Sequence, residues 1–405
     1  MELLAPAGNL EKLKWAVIYG ADAVYFGTQF GSLRNFAGNF SFDDAAAGLD
    51  LLHVHGKKGY ATLNIYPFSD EYDHIITTAR TLDEIGVDAF IVSDLGVLMA
   101  LKKLGLNAAL HVSTQANTTS YQAVLAYKEL GAKRINLARE LSIEQIKEIQ
   151  EKVRGRVETE VFISGAVCFS YSGRCAVSDY LTGFRANRGE CKHPCRWKYT
   201  LVEETRPGQY MPVFEDDRGL YLFNSRDLAL FEYVPELQEA GVDSVKIEGR
   251  MKSIHYIATV VSFYRQVLDG KSFTWEEGVD LLSRVPNRGY SRGFMKGKID
   301  DSDYQREKST SESEYVFVGN VIEEKIEGRS VLEVRNKILA GDELEVLSPD
   351  GALSRITMNS PLEATDKGHV DFVNHYQFVL LNQEFPPYTI FRKRVEPQRH
   401  EPAVA

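Results

Sequence analysis

The 405-residue sequence predicts an α/β protein: a (β/α)8 barrel carrying a cysteine-bearing insertion after its seventh strand, followed by a small all-β barrel. Three observations carry this. First, one phrase recurs as "GADAVYF", "IGVDAFIV", "LGAKRINL" and "AGVDSVKI". Each time a glycine ends a helix, a short polar entry follows, and an apolar strand begins. Strands alternating with helices imply a parallel sheet with right-handed crossovers. Second, about eight such strands count out, which favours a closed barrel over an open doubly wound sheet. No GxGxxG follows the first strand, so the dinucleotide-binding alternative lacks its signature. Third, the apolar spacing switches beyond Tyr315 to strict alternation.

The elements follow in order. Leu3–Ala5 is a short apolar run, and a Pro-Ala-Gly-Asn turn leads into the helical stretch Leu10–Tyr19, ended by Gly20. Further strands are expected at Asp22–Phe26, Gly59–Ile65, Asp88–Ser93, Ala108–Val112, Arg134–Leu137, Val157–Ser164 and Asp243–Ile247. Between them Asp70–Ile85, Leu95–Leu104, Tyr121–Leu130, Ser142–Val153 and Arg226–Ala240 place apolar residues at helical spacing. The rhythm breaks between Ser164 and about Asn224, where active-site loops of a barrel lie. The reading is thus a barrel over 1–308 with an insertion at about 165–224, a small β-barrel over 309–396, and a disordered tail at 397–405.

Composition narrows the function classes. The net charge is −10, so any nucleic-acid binding must come from local basic patches. The N-terminus has no positively charged leader, and no run approaches 18 apolar residues, so neither export nor a membrane span is expected. The reading is a cytoplasmic protein in a reducing compartment, where disulfides are the less expected use of cysteine.

The cysteines are Cys168, Cys175, Cys191 and Cys195, spaced C-x6-C-x15-C-x3-C. All four fall within 28 residues, which points to four thiolates closing on one soft metal centre. Zinc is the rival, but structural zinc usually shows paired C-x2-4-C knuckles, and only Cys191 and Cys195 form one. The bland alternative is four small buried residues. His193, inside "CKHPC", reads as a surface histidine or a supporting donor.

At these residues the chain resembles a known family. "APAGNLEKL", "GADAVYFG", "SGAVCFSYSGRC", "CKHPCRW", "NSRDL" and "VKIEGRMKS" are similar to peptidase family U32, the collagenase-like peptidases. "HVSTQANTTS", "RPGQYMPVFEDDRGLYLFNSRDL", "NRGYSRGF" and "DSDYQ" are similar to its tRNA-hydroxylating subfamily. The resemblance runs from Glu2 to about Arg394. It implies a (β/α) barrel, a small C-terminal β-barrel and a [4Fe–4S] cluster. It also implies 5-hydroxyuridine formation at the tRNA wobble position, with prephenate as hydroxyl source. A sister protein hydroxylates a ribosomal RNA cytidine, so another RNA stands as an alternative partner.

Polar residues at strand C-termini face the mouth of such a barrel. These are Asn64, Ser113, Gln115 and Arg139, expected to hold cofactor or co-substrate, with Glu160 on the cysteine-bearing strand. In "VKIEGR", Val245 and Ile247 alternate with Lys246 and Glu248, so the charged side chains share the lumen face. Prephenate is a dicarboxylate, so Arg139, Lys246 and Arg250 are candidate clamps. Glu160 or Glu248 is the candidate general base, and Asp94 and Asp227 are weaker candidates. The bland account is an internal ion-pair network. RNA contacts are expected from Arg185, Arg188, Lys192, Arg196 and Lys198, with Phe184 and Trp197 to stack bases. A second patch is Arg392, Lys393 and Arg394 beside Phe391. A peptidase competes through the family's label, but the chain has no HExxH and no GxSxG. The third class is a zinc-stapled RNA-binding protein.

Overall fold

The computed structural model describes residues 1–28, 31–32, 39–168, 170, 175, 177–184, 190–192, 194–196, 215–216, 219–220, 225–299, 301–304 and 313–395. The tail at 397–405, Arg185, Arg188, His193, Trp197, Lys198 and the side chain of Arg196 lie outside the described residues.

Seven parallel strands alternate with helices: β1 (Glu2–Pro6), β2 (Ala23–Gly27), β3 (Lys58–Leu63), β4 (Ala89–Val92), β5 (Ala109–Val112), β6 (Arg134–Asn136) and β7 (Glu158–Gly165). A short hairpin, β8 (Glu215–Asp216) and β9 (Gly219–Leu220), precedes β10 (Asp227–Ala229), and β11 (Ser244–Ile247) completes the barrel. Closure is explicit: β11 pairs in parallel with both β1 and β7, with Leu4 opposite Lys246 and Lys246 opposite Phe162. The result is a closed, TIM-like eight-stranded barrel.

The intervening helices are α1 (Leu10–Ile18), α2 (Phe42–Val54), α3 (Tyr72–Glu84), α4 (Leu95–Leu104), α5 (Tyr121–Glu129) and α6 (Ile143–Val153). After β7 come α7 (Val177–Thr182), α8 (Val234–Ala240), α9 (Ile254–Leu268) and α10 (Trp275–Leu282). Polar N-caps start most of them: Ser41 and Ser142 close capping boxes, and Asp94 accepts from the Val97 N–H. Asp94 also accepts from the Tyr72 hydroxyl at 2.7 Å, so this weaker site candidate has a structural task.

The expected helix Arg226–Ala240 is a correction. Asp227–Ala229 is a strand, and the helix begins only at Val234, with Pro235 in its first turn. A proline nine residues into a supposed helix was the warning. The β10 strand pairs antiparallel with the overhanging end of β7 and parallel with β12 (Tyr290–Ser291). Asp227 is buried and ion-paired with Arg288 in this strand, so it does not start a helix.

The C-terminal region is antiparallel and all-β. Its strands are β13 (Tyr315–Ile326), β14 (Arg329–Val334), β15 (Ile338–Leu339), β16 (Glu343–Leu347), β17 (Leu353–Thr357), β18 (Leu362–Ala364), β19 (Gly368–Val370), β20 (Phe372–Val373), β21 (Phe378–Leu380) and β22 (Ile390–Arg394). Eight of them form a sheet in the order β17-β16-β22-β13-β14-β21-β18-β19, and β15 pairs with β20. Val318, Leu332, Val346 and Phe391 belong to its own core, while Leu347 and Ile390 join the barrel's core.

That docking takes Arg392 out of the expected Arg392–Arg394 RNA patch. Arg392 is 1% exposed. Its guanidinium bonds Glu345 at 2.7 and 2.8 Å and the Thr259 hydroxyl of α9 at 3.0 Å. Lys393 pairs with Asp342, and Arg394 with Glu314. Of the triplet, Arg392 joins the two regions, while Lys393 and Arg394 pair within the C-terminal region and Arg394 stays exposed.

His255 sits in the same joint, stacked on Phe317. Burial first, and then Arg392, pull its pKa from 6.5 to about 3. The folded chain therefore holds a neutral imidazole while the unfolded chain takes up a proton below about pH 6.5. The stability this group contributes is full above that pH and is lost as pH falls toward about 3. His255→Gln should flatten the loss of unfolding free energy across this window in urea titrations. An unchanged slope would show that the folded imidazole accepts the proton.

Candidate active site at the barrel mouth

Strand alternation decides which side chains enter the lumen. Leu3, Val24, Phe26, Val245 and Ile247 join the core under the helices, whereas Leu4, Tyr25, Tyr60 and Ile91 form a separate cluster inside the barrel. Lys246, between Val245 and Ile247, must therefore point inward. Its ammonium lies 2.9 Å from Glu160 and 4.4 Å from the Tyr25 ring centroid. Glu160 also accepts from Asn136 at 2.7 Å and sits 3.5 Å from Arg134. Arg134 reaches on to Glu2 and to Glu158, the latter at 2.8 Å.

Glu160 and Lys246 are 2% and 3% exposed. Burial lowers the Lys246 pKa, and Glu160 opposes that shift. Beside them, burial first and then Arg134 and Lys246 hold His111 well below its usual value, so it is neutral at pH 7. Each charge in this chain faces an opposite one, as a buried group requires. The lumen thus holds an internal ion-pair network, the bland alternative weighed for these strands.

The mouth is a different environment. Arg250, three residues beyond β11, is buried, and its guanidinium bonds the Ser32 hydroxyl at 2.6 Å and the Thr62 hydroxyl at 3.3 Å. Gly27 permits this: a Cβ there would stand 1.9 Å from the Arg250 Nη1. Glu248 is half-buried, and its carboxylate accepts from the Tyr25 hydroxyl at 3.1 Å. Opposite, Arg139 lies 4.0 Å over the Phe162 ring and donates to the Ala166 carbonyl at 2.9 Å. Ser113 is buried and caps the turn that carries Gln115. Asn64 is half-buried just past β3.

The cysteine segment leaves the barrel beside this mouth. Gly165, at φ 107°, ends β7 so close to β11 that a Cβ would meet the Glu248 carbonyl oxygen at 2.7 Å. Cys168 follows three residues later and is exposed; Cys175, Cys191 and Cys195 are half-buried, and none of the four is joined in a disulfide. Cys175 precedes α7, and the turn bearing Cys195 packs against α7, with the Lys192 N–H donating to the buried Ser178 hydroxyl at 3.2 Å. Lys192 covers the Phe184 ring at 4.4 Å, the described part of the expected RNA-facing cluster. Four thiols suit a soft metal centre. Among the described residues no group of three or more His, Cys, Asp or Glu stands together as a metal site.

The structure therefore brings Arg250, Glu248, Arg139, Ser113, Gln115 and Asn64 to one end of the barrel and sinks Glu160 and Lys246 below it. Sequence reading missed Ser32, Thr62 and Tyr25 at the mouth, and Glu2, Arg134 and His111 in the lumen. The available signal was parity: Tyr25, Tyr60 and His111 occupy lumen positions of their strands.

These features define a (β/α)8-barrel protein with a neutralised charged lumen, a polar mouth and a thiol-rich segment beside it. The chain belongs to peptidase family U32. The model "Peptidase family U32" matches residues 8–305, and "Peptidase family U32 C-terminal domain" matches 313–392. It is 38% identical to "tRNA hydroxylation protein P1" of Bacillus subtilis (86% of this chain, 84% of that protein). It is 35% identical to "tRNA hydroxylation protein P" of Escherichia coli (87% of each). It is also 36% identical to "23S rRNA 5-hydroxycytidine C2501 synthase" of Escherichia coli, over 66% of this chain and 39% of that protein. No helix among the described residues is long and apolar enough to cross a membrane.

Proposed function

We propose that the chain is an RNA-modifying hydroxylase that forms 5-hydroxyuridine at the tRNA wobble position without oxygen, with prephenate as hydroxyl source. The observation that carries this is the similarity to tRNA hydroxylation proteins across more than four-fifths of the chain. An RNA substrate implies a cytoplasmic site of action. Cys168, Cys175, Cys191 and Cys195 would hold a [4Fe–4S] cluster, which supplies one-electron chemistry beside the mouth when bound. A zinc ion on the same thiols is the alternative. The family's peptidase label finds no HExxH or GxSxG to support it.

The chain's own residues supply binding and orientation. Arg250, backed by Ser32 and Thr62, presents a fixed cation where a carboxylate of the co-substrate can dock. Glu248, steadied by the Tyr25 hydroxyl, is the carboxylate placed to move a proton at the mouth. Glu160 is occupied by Lys246 and Asn136, so its part is to set the lumen's shape and charge.

The test separates the two kinds of cation. With tRNA and prephenate, Arg250→Ala should raise the KM for prephenate by roughly ten- to hundredfold, since a charge-assisted contact is worth about 1.5–3 kcal/mol. Iron content should hold. Lys246→Ala should instead lower the melting temperature, because it strands Glu160 in the lumen. Unchanged prephenate kinetics in Arg250→Ala would remove the clamp.

A further inference from the structure

The two halves of the mouth differ in hydrogen-bonding character. The half built on β11, β2 and β3 carries the fixed cation, the Arg250 guanidinium on the Ser32 and Thr62 hydroxyls, beside the Glu248 carboxylate. The half built on β4, β5 and β6 carries a concentration of buried side-chain atoms without a hydrogen-bond partner: Ser93 Oγ, Gln115 Oε1, Asn117 Oδ1, Thr118 Oγ1 and Arg139 Nε. Buried polar atoms are nearly always satisfied, and each exception calls for a physical explanation.

The loop bearing three of them is held firmly. The Tyr66 hydroxyl donates to the Gln115 carbonyl at 2.7 Å. Asn117 sits in the left-handed region at φ 53°, with its N–H on the Thr114 carbonyl at 2.9 Å. Thr118 bridges to Leu137, and the Ala138 N–H donates to its carbonyl at 3.0 Å. These backbone bonds hold the loop while the side-chain acceptors are left over.

Two of those acceptors are amide oxygens. Carboxylate groups bring only acceptors and cannot satisfy them, so a ligand group on this side must offer N–H or O–H donors. A uracil base in RNA offers one such donor, N3–H, and its carbonyls match the Arg139 Nε. Asn and Gln amides offer one acceptor and one donor group, which suits the N–H and C=O of a base edge. Resting on the hydroxylase reading above, we propose that the 113–118 loop, with Ser93 and Arg139, is a shelf that reads the hydrogen-bonding edge of the target pyrimidine. The co-substrate is held on the opposite half.

The test is binding by the full-length, iron-loaded protein. Two anticodon stem–loops are compared, one with uridine at the wobble position and one abasic there. The intact protein should prefer uridine by about tenfold or more, and Gln115→Met and Asn117→Gly should each lose most of that preference. Glycine retains the left-handed backbone at 117, and melting temperatures show whether each variant folds. Prephenate KM should stay constant in both. If both variants keep the uridine preference, or if prephenate KM rises in its place, the shelf is ruled out. Absence of any preference in the intact protein also rules it out. Uridine preference without hydroxylated product would count against the hydroxylase reading alone.

Discussion

Replacing any one of Cys168, Cys175, Cys191 or Cys195 with Ala is expected to remove most bound iron and to abolish hydroxylation. The thiols form no disulfide and are confined to one segment, while among the described residues no alternative group of three His, Cys, Asp or Glu is assembled nearby. A cluster held by three thiolates lacks one ligand and is exposed to loss. The barrel closes through β11 without this segment, so far-ultraviolet circular dichroism of each variant should match the parent. Anaerobically purified parent should be brown and the variants pale. Full iron in two or more single variants would end the four-thiolate assignment, and a colourless, zinc-loaded parent would replace the cluster with the alternative metal.

The second large effect is on stability. Arg392→Ala should cost about 3–5 kcal/mol, because it leaves Glu345 buried with one cation fewer. Glu345 is 7% exposed and bonds Arg392, with Arg284 at 3.1 Å. The affinity of the folded protein for tRNA should be unaffected, since the guanidinium is sealed against α9. Urea denaturation and a binding titration read the two arms. A tRNA affinity drop with unchanged stability would return Arg392 to the RNA surface. The joint also means that a chain ending near Lys308 would uncover Tyr19, whose hydroxyl donates to the Tyr388 carbonyl at 2.8 Å.

The barrel was legible because the sequence punctuates it. Glycines at 20, 86, 131 and 241 all take positive φ before a strand, and each expected barrel strand matches an observed one. The inward turn of Lys246 was legible from its apolar neighbours. Its network was not, because β6 is three residues long and shows no alternation that would place Arg134 in the lumen. Asp227–Ala229 was misread because a three-residue strand beside a helix merges into the helical pattern, and only Pro235 marks the seam. Arg392 was misread for another reason. Ile390, Phe391 and Arg392 are consecutive and all buried. That happens when a strand packs against its own core on one face and a second region on the other, which alternation cannot reveal. The mouth acceptors were partly legible: Gln115 stood out at a strand end, but Asn117 needs the left-handed turn to be seen.

The most direct measurement is mass spectrometry of nucleosides from tRNA of cells lacking this chain, and of the same tRNA after incubation with anaerobically purified, iron-loaded protein and prephenate. The account predicts that 5-hydroxyuridine is missing from the first sample and restored in the second, and that omitting prephenate prevents restoration. Unchanged 5-hydroxyuridine in the deletion strain, or a missing hydroxyl on ribosomal RNA cytidine instead, would contradict it.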